Sequence, residues 1–274
     1  MIDAHHHLWQ YNDRDYLWMS GAMGTLRRDF LIPDLEAVAQ ESGVTGTLAV
    51  QARQSLAETE WLLELAALHP LLLGVVGWVP LCDARVEAEL ESLAQNHQLR
   101  SVRHVLHDEA DDFYMLREDF NRGVGLLQSF GLDYDILIFE RHLPQTIAFV
   151  DRHPKQVFVV DHIAKPRIRE RIVSPWREGI TELAKRENVF CKVSGMATEA
   201  DWGAWTIEQM RPYFDTVLAA FGPRRLMFGS DWPVLTLAGS YRRWVDTFRS
   251  FIADLSADEQ REISEGTARR AYGI

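Results

Sequence analysis

Eight short apolar runs alternate with longer amphipathic stretches along these 274 residues, and that alternation limits the available folds more than any other feature. The runs at residues 2–5, 46–51, 72–79, 101–105, 134–139, 157–160, 189–193 and 225–228 have the length and composition of strands. Between them, residues 32–42, 59–69, 84–96, 113–130, 143–152, 176–186 and 207–221 carry apolar side chains at helical spacing. Strands separated by helix-length crossovers pair in parallel, with the helices covering the sheet. Eight such units, in a chain that is 47% hydrophobic and has no low-complexity linker, predict an α/β fold: one TIM-barrel domain over residues 1–274. A doubly wound sheet is the alternative. It leaves the first and last strands apart, whereas closing a barrel makes them neighbours.

A barrel enzyme carries its chemistry at the C-terminal ends of its strands, and the polar residues fall there. The first run ends in Ile2-Asp3-Ala4-His5-His6-His7, and strand alternation puts His5 and His7 on one side. Three histidines are too few for a purification tag, and they lie inside the strand-like run. The second run ends in Gln51 and Arg53, the fourth in Arg103 and His104, the fifth in Arg141 and His142, the sixth in Asp161 and His162. The eighth leads into Phe228-Gly229-Ser230-Asp231-Trp232-Pro233. Two imidazoles facing a carboxylate across a closed seam suit zinc or another first-row divalent ion.

With 29 Lys and Arg against 40 Asp and Glu, a net charge of −11 and a pI near 5.4, the chain lacks the basic surface that nucleic acid or anionic membrane requires, so a small-molecule substrate is expected. The start of the chain shows no basic segment followed by an apolar core. No apolar run approaches a membrane span, and a soluble, cytoplasmic protein is expected. Cys82 and Cys191 each sit beside an apolar run and are expected as reduced thiols. Nothing in the pattern bears on oligomeric state.

The stretches Ile2 to Trp9, Gly77-Trp78-Val79, Val102-Arg103-His104, Arg141-His142-Leu143-Pro144, Asp161-His162-Ile163-Ala164-Lys165-Pro166, Lys192-Val193-Ser194-Gly195 and Gly229-Ser230-Asp231-Trp232-Pro233 together span nearly the whole chain. Their pattern resembles the amidohydrolase superfamily, in the amidohydrolase 2 branch that includes sugar-acid lactonases and the pyrone-dicarboxylate lactonase. Binuclear members of the superfamily use a bridging lysine or glutamate from a middle strand. No lysine precedes Lys155 here, and the seventh run ends in Lys192-Val193-Ser194 rather than a histidine, which argues against a binuclear centre. The branch includes metal-independent enzymes, so one divalent ion and none both remain open.

The resemblance implies a hydrolase that opens a sugar-derived lactone, of the L-fucono- or L-rhamnonolactone kind, to its aldonic acid. Such chemistry needs a base for water and a positive group for the oxyanion. Asp231 is expected as the base, with His162 orienting water or polarising the carbonyl. His5, His7 and Asp231 are the ligand set if a metal is present. Arg103 and His104 are further catalytic candidates, with Arg103 able to hold a carboxylate or oxyanion through its forked donors. Arg53, Arg141 and Lys165 are expected to bind substrate, and Asp108 to lie in or beside the site. Of nine tryptophans, Trp9, Trp78 and Trp232 are expected against a sugar, whereas Trp61, Trp176, Trp202, Trp205 and Trp244 are expected in helix packing. Residues 11–28 read as a long loop over the mouth. Two other activities fit less well: a metal-dependent decarboxylase of an aromatic or unsaturated acid, and a binding protein that has lost catalysis.

Overall fold

The computed structural model describes residues 1–19 and 21–274. Eight parallel strands lie in sequence order: β1 (Ile2–His6), β2 (Gly46–Val50), β3 (Leu72–Gly77), β4 (Leu99–Val105), β5 (Asp133–Leu137), β6 (Phe158–Val160), β7 (Val189–Val193) and β8 (Leu226–Phe228). The seam closes just beyond β8, where His6 bridges Trp232 and the Asp231 amide donates to the His5 carbonyl at 2.8 Å. Eight helices follow the strands: α1 (Ile32–Ser42), α2 (Leu56–Leu68), α3 (Val86–Leu93), α4 (Glu118–Leu127), α5 (Leu143–Arg152), α6 (Trp176–Leu183), α7 (Ile207–Phe221) and α8 (Tyr241–Ile252). The short α9 (Ala257–Arg261), a π-helical turn and α10 (Thr267–Tyr272) complete the chain. Among the described residues, no helix is long and apolar enough to cross a membrane.

The barrel is therefore as the alternation predicts, with differences at element ends. Residues 113–130 form two separate pieces rather than one helix, because Arg117 takes an extended backbone (ψ 145°) and starts α4 afresh. The α7 start has a readable cause, since the Thr206 side chain accepts from the Gln209 amide and Gln209 reaches back to the Thr206 amide.

Alternation sorts the strand residues into two cores. Ala49, Val75, Val102, Ile136, Val160, Val193 and Phe228 pack outward against the helices. Ile2, Leu48, Val50, Val76, Val159 and Met227 fill the barrel floor with Ala268, Ala271 and Tyr272 of α10. One irregularity matters for function. Between Asp3 and His6, β1 advances three residues while β2 advances two, from Thr47 to Ala49. This bulge shifts the phase of β1. Ala4 joins the interior cluster and His5 also faces inward, while Asp3 and His6 face outward to Ser230 and Thr47.

Candidate active site

At the mouth of the barrel four side chains from the ends of three strands, β1, β6 and β8, converge. His5 Nε2 lies 3.3 Å from His7 Nε2 and 3.8 Å from Asp231 Oδ1. His7 Nε2 is 3.5 Å, and His162 Nε2 3.9 Å, from the same carboxylate oxygen. His7 Nδ1 can only donate where it stands, to the Val50 carbonyl at 2.8 Å, which leaves Nε2 as the ring atom turned toward His5 and Asp231. Several electron pairs thus face one another in a buried space, which calls for a shared cation or shared protons.

The backbone that holds this cluster is unusual. Residues His162, Ile163, Ala164 and Lys165 all have positive φ, between 47° and 61°, a left-handed turn costing about 1–2 kcal/mol per residue. Its Lys165 amide donates to the His162 carbonyl at 2.8 Å. Asp231 also has positive φ, 58°. Two glycines give these groups room. A Cβ on Gly195 (φ 65°) would lie 2.6 Å from the His162 ring, and one on Gly229 would lie 2.9 Å from His5 Cβ.

Beneath the cluster lies a fully buried ionic layer. Lys192 Nζ bonds Asp135 and reaches Asp161 Oδ1 at 3.0 Å and His5 Nδ1 at 3.2 Å. Arg103 Nη1 donates to Asp161 Oδ2 at 2.9 Å and approaches His5 Nε2 at 3.4 Å. Asp135 accepts from the Ser101 and Tyr272 hydroxyls at 2.6 and 2.9 Å. Burial would raise the Asp161 carboxyl, but Lys192, His5 and Arg103 together hold it well below the usual range. Burial drives His5 and His162 well below the usual imidazole value, so both rings stay neutral. Asp231 is likewise pulled down against the effect of burial, by His162, His7 and Lys165, and is ionised at neutral pH.

Above the cluster is a cavity of about 320 Å³, within the range of small-molecule sites. His7, His162, Asp231 and Arg103 form its base, and Trp18, Met23, His107, Lys165, Glu199 and Trp202 are among its walls. The 11–28 loop contributes Trp18 and Met23, with a 3-10 turn over Gly21–Leu26; its Ser20 lies outside the described residues.

The expected site residues divide accordingly. Lys165 and Asp108 line the cavity. His104 does not join Arg103, because neighbours on a strand face opposite sides; its ring stacks on Tyr114 and bonds Glu109. Trp78 is placed beside it, with the indole N–H 3.4 Å from His104 Nδ1. Arg53 is engaged by Asp15 and Glu58. Arg141 pairs with Asp112 in a neighbouring basin. Trp9 is buried behind the site, its N–H on the Arg28 carbonyl, and Trp232 packs on Phe30. Trp202, expected in helix packing, instead lines the cavity, as does His107, whose imidazole burial pushes down to about 2. The signal for Lys192 was available: Phe190, Lys192 and Ser194 alternate with apolar Val189, Cys191 and Val193. Trp202 and His107 sit in loops, where no periodicity points the side chain.

The donor set suits a divalent metal ion. Tetrahedral ligands about 2.1 Å from zinc lie about 3.4 Å apart, close to the 3.3–3.9 Å spacings here. Among the described residues, His5, His162 and Asp231 each offer an atom within 4.8 Å of the others; His162 thus takes the place expected for His7, which is not in that group although its Nε2 lies 3.3 Å from His5 Nε2 and 3.5 Å from Asp231 Oδ1.

Comparison with known proteins agrees with this geometry. A family model described as amidohydrolase matches residues 2–274. An L-fucono-1,5-lactonase from Burkholderia multivorans is 40% identical, covering 100% of this chain and 96% of its own length. A second L-fucono-1,5-lactonase, from Burkholderia ambifaria, is 38% identical over 88% of this chain and 82% of its own. The crystal structure of a Burkholderia multivorans amidohydrolase with bound zinc superposes with a TM-score of 0.96 at 40% identity, covering 100% of this chain and 99% of that one.

Proposed function

From the premise that this chain belongs to the amidohydrolase family, we propose that it hydrolyses a sugar-derived lactone, of the L-fucono-1,5-lactone kind, to the open-chain aldonic acid. The observation that carries this is the meeting of three imidazoles and a carboxylate at the base of a sugar-sized cavity. The relatives' L-fucono-1,5-lactonase activity supports the substrate class.

In this scheme water sits against Asp231, whose carboxylate takes its proton as the oxygen attacks the lactone carbonyl. The same carboxyl then returns the proton to the ring oxygen as the C–O bond breaks, so one group serves both half-steps. His162 Nε2 orients the water. Its ring is fixed by the 2.9 Å bond from Nδ1 to Ser194 Oγ. Arg103, fixed by Asp161 and the Gln51 carbonyl, offers positive charge to the developing oxyanion. A divalent ion held by His5, His7, His162 and Asp231 would supply Lewis-acid polarisation of the carbonyl. Trp202 and Trp18 give apolar faces for the sugar's C–H surface.

The test is acid release, followed with a pH indicator, from L-fucono-, L-rhamnono- and D-galactonolactones and from a pyrone dicarboxylate, with chelator or added zinc. Turnover of a sugar lactone is expected, and chelator sensitivity decides the metal requirement. Silence on every lactone would remove this proposal.

A further inference from the structure

Beside the catalytic cavity lies a second, open basin of about 730 Å³ that shares Lys165, Thr198, Glu199 and Trp202 with it. The shared wall is the Lys165–Glu199 ion pair at 3.2 Å, carried by the left-handed turn on one side and the loop after β7 on the other. The basin gathers four cations, Arg141, Lys165, Arg167 and Arg169, in a chain whose net charge is −11. Three of them are matched: Arg141 by Asp112, Arg167 by Glu140 and Lys165 by Glu199. Among the described residues, Arg169 has no carboxylate within ion-pair distance. Glu170 also lines the basin without pairing to it.

Resting on the lactonase proposal, we infer that this basin is a carboxylate subsite, in which Arg169 receives the sugar acid as it leaves the catalytic cavity. The lactone is neutral and its product an anion, so the product alone gains from a cation outside the catalytic cavity. The cation on the wall shared by the two cavities is Lys165. Lys165 is occupied by Glu199, and the next cation free to take a carboxylate through forked donors is Arg169. Trp202 belongs to both cavities and offers a continuous apolar face along the path.

The experiment titrates sodium L-fuconate into wild type, Arg169→Ala and Glu170→Gln by calorimetry, and measures its inhibition of lactone hydrolysis. Arg169→Ala is expected to weaken acid binding by about threefold or more and to raise the ratio of the acid's inhibition constant to the lactone KM by the same factor. Glu170→Gln is expected to shift both the opposite way, and about 0.5 M salt to shrink both differences. Binding that ignores both substitutions, or no binding to wild type, overturns the inference. If no lactone is turned over yet the acid binds in an Arg169-dependent way, the lactonase proposal fails and the subsite stands.

Discussion

At the floor of the barrel, Ile2, Ala4, Leu48, Val50, Val76, Val159 and Met227 pack against α10; at the mouth, the same or adjoining segments present His5, His7, His162 and Asp231 to one another. The floor and the ionic layer above it match nearly every group: Lys192 with Asp135 and Asp161, Arg103 with Asp161 and Gln51, Tyr272 with Asp135. The mouth leaves electron pairs facing one another on a left-handed turn. A fold that spends satisfied polar pairs below and strained, unmatched ones above separates stability from chemistry by a few ångströms along each strand. Substitutions at the two levels should therefore fail in different ways.

The largest effect is expected at the mouth. Asp231→Asn keeps the side chain's size and removes the base, so lactone turnover should fall about 10²–10⁴-fold while the thermal unfolding curve is retained. More than a tenth of wild-type turnover would exclude Asp231 as the base. One layer down, Lys192→Met removes the shared cation from two buried carboxylates and should cost about 3–5 kcal/mol in urea unfolding. A loss of turnover in Lys192→Met with unchanged stability would break the division between the layers.

That division was only half legible in the sequence. Alternating runs showed the barrel, and strand-end spacing pointed to His5, His7, Arg103, His162 and Asp231 because a strand's end fixes where its side chain goes. Two devices left no local trace. The β1 bulge that brings His5 to the interior beside Ala4 depends on register with β2, which a single segment does not carry. Nor do Ile163, Ala164 and Lys165 favour positive φ; three of the four residues of the turn are held there by their surroundings, against local preference. The helix α8 left a clear trace, with Tyr241, Trp244, Val245, Phe248, Phe251 and Ile252 buried at three- to four-residue spacing. Its place after the last strand, outside the seven intervals, separates it from the alternation.

Two glycines sharpen the comparison at the mouth. Both Gly195 and Gly131 have positive φ, 65° and 69°, but a Cβ on Gly195 meets the His162 ring at 2.6 Å, while one on Gly131 meets nothing within 4 Å. Gly131→Ala should cost only the backbone strain, about 1 kcal/mol, with turnover unchanged. Gly195→Ala should add displacement of His162, for about 2 kcal/mol in stability and about tenfold in kcat. Equal effects from the two would mean that the His162 position is not critical.

The remaining effect belongs to the floor and is read through pH. Asp133, at the start of β5, is pushed up to about 8, first by burial and then by the neighbouring Asp135 charge. The folded state therefore keeps a proton that the unfolded state releases near the ordinary value of 3.8. This contribution to stability is complete below that value and is lost as pH rises through about 8. Partial solvent screening reduces it to about 1–2 kcal/mol. Urea midpoints measured at pH 5, 7 and 9 should fall more steeply for wild type than for Asp133→Asn, whose amide has no proton to lose. Parallel profiles would show that water reaches Asp133 freely, and that the polar edge of the floor is not sealed as its apolar centre is.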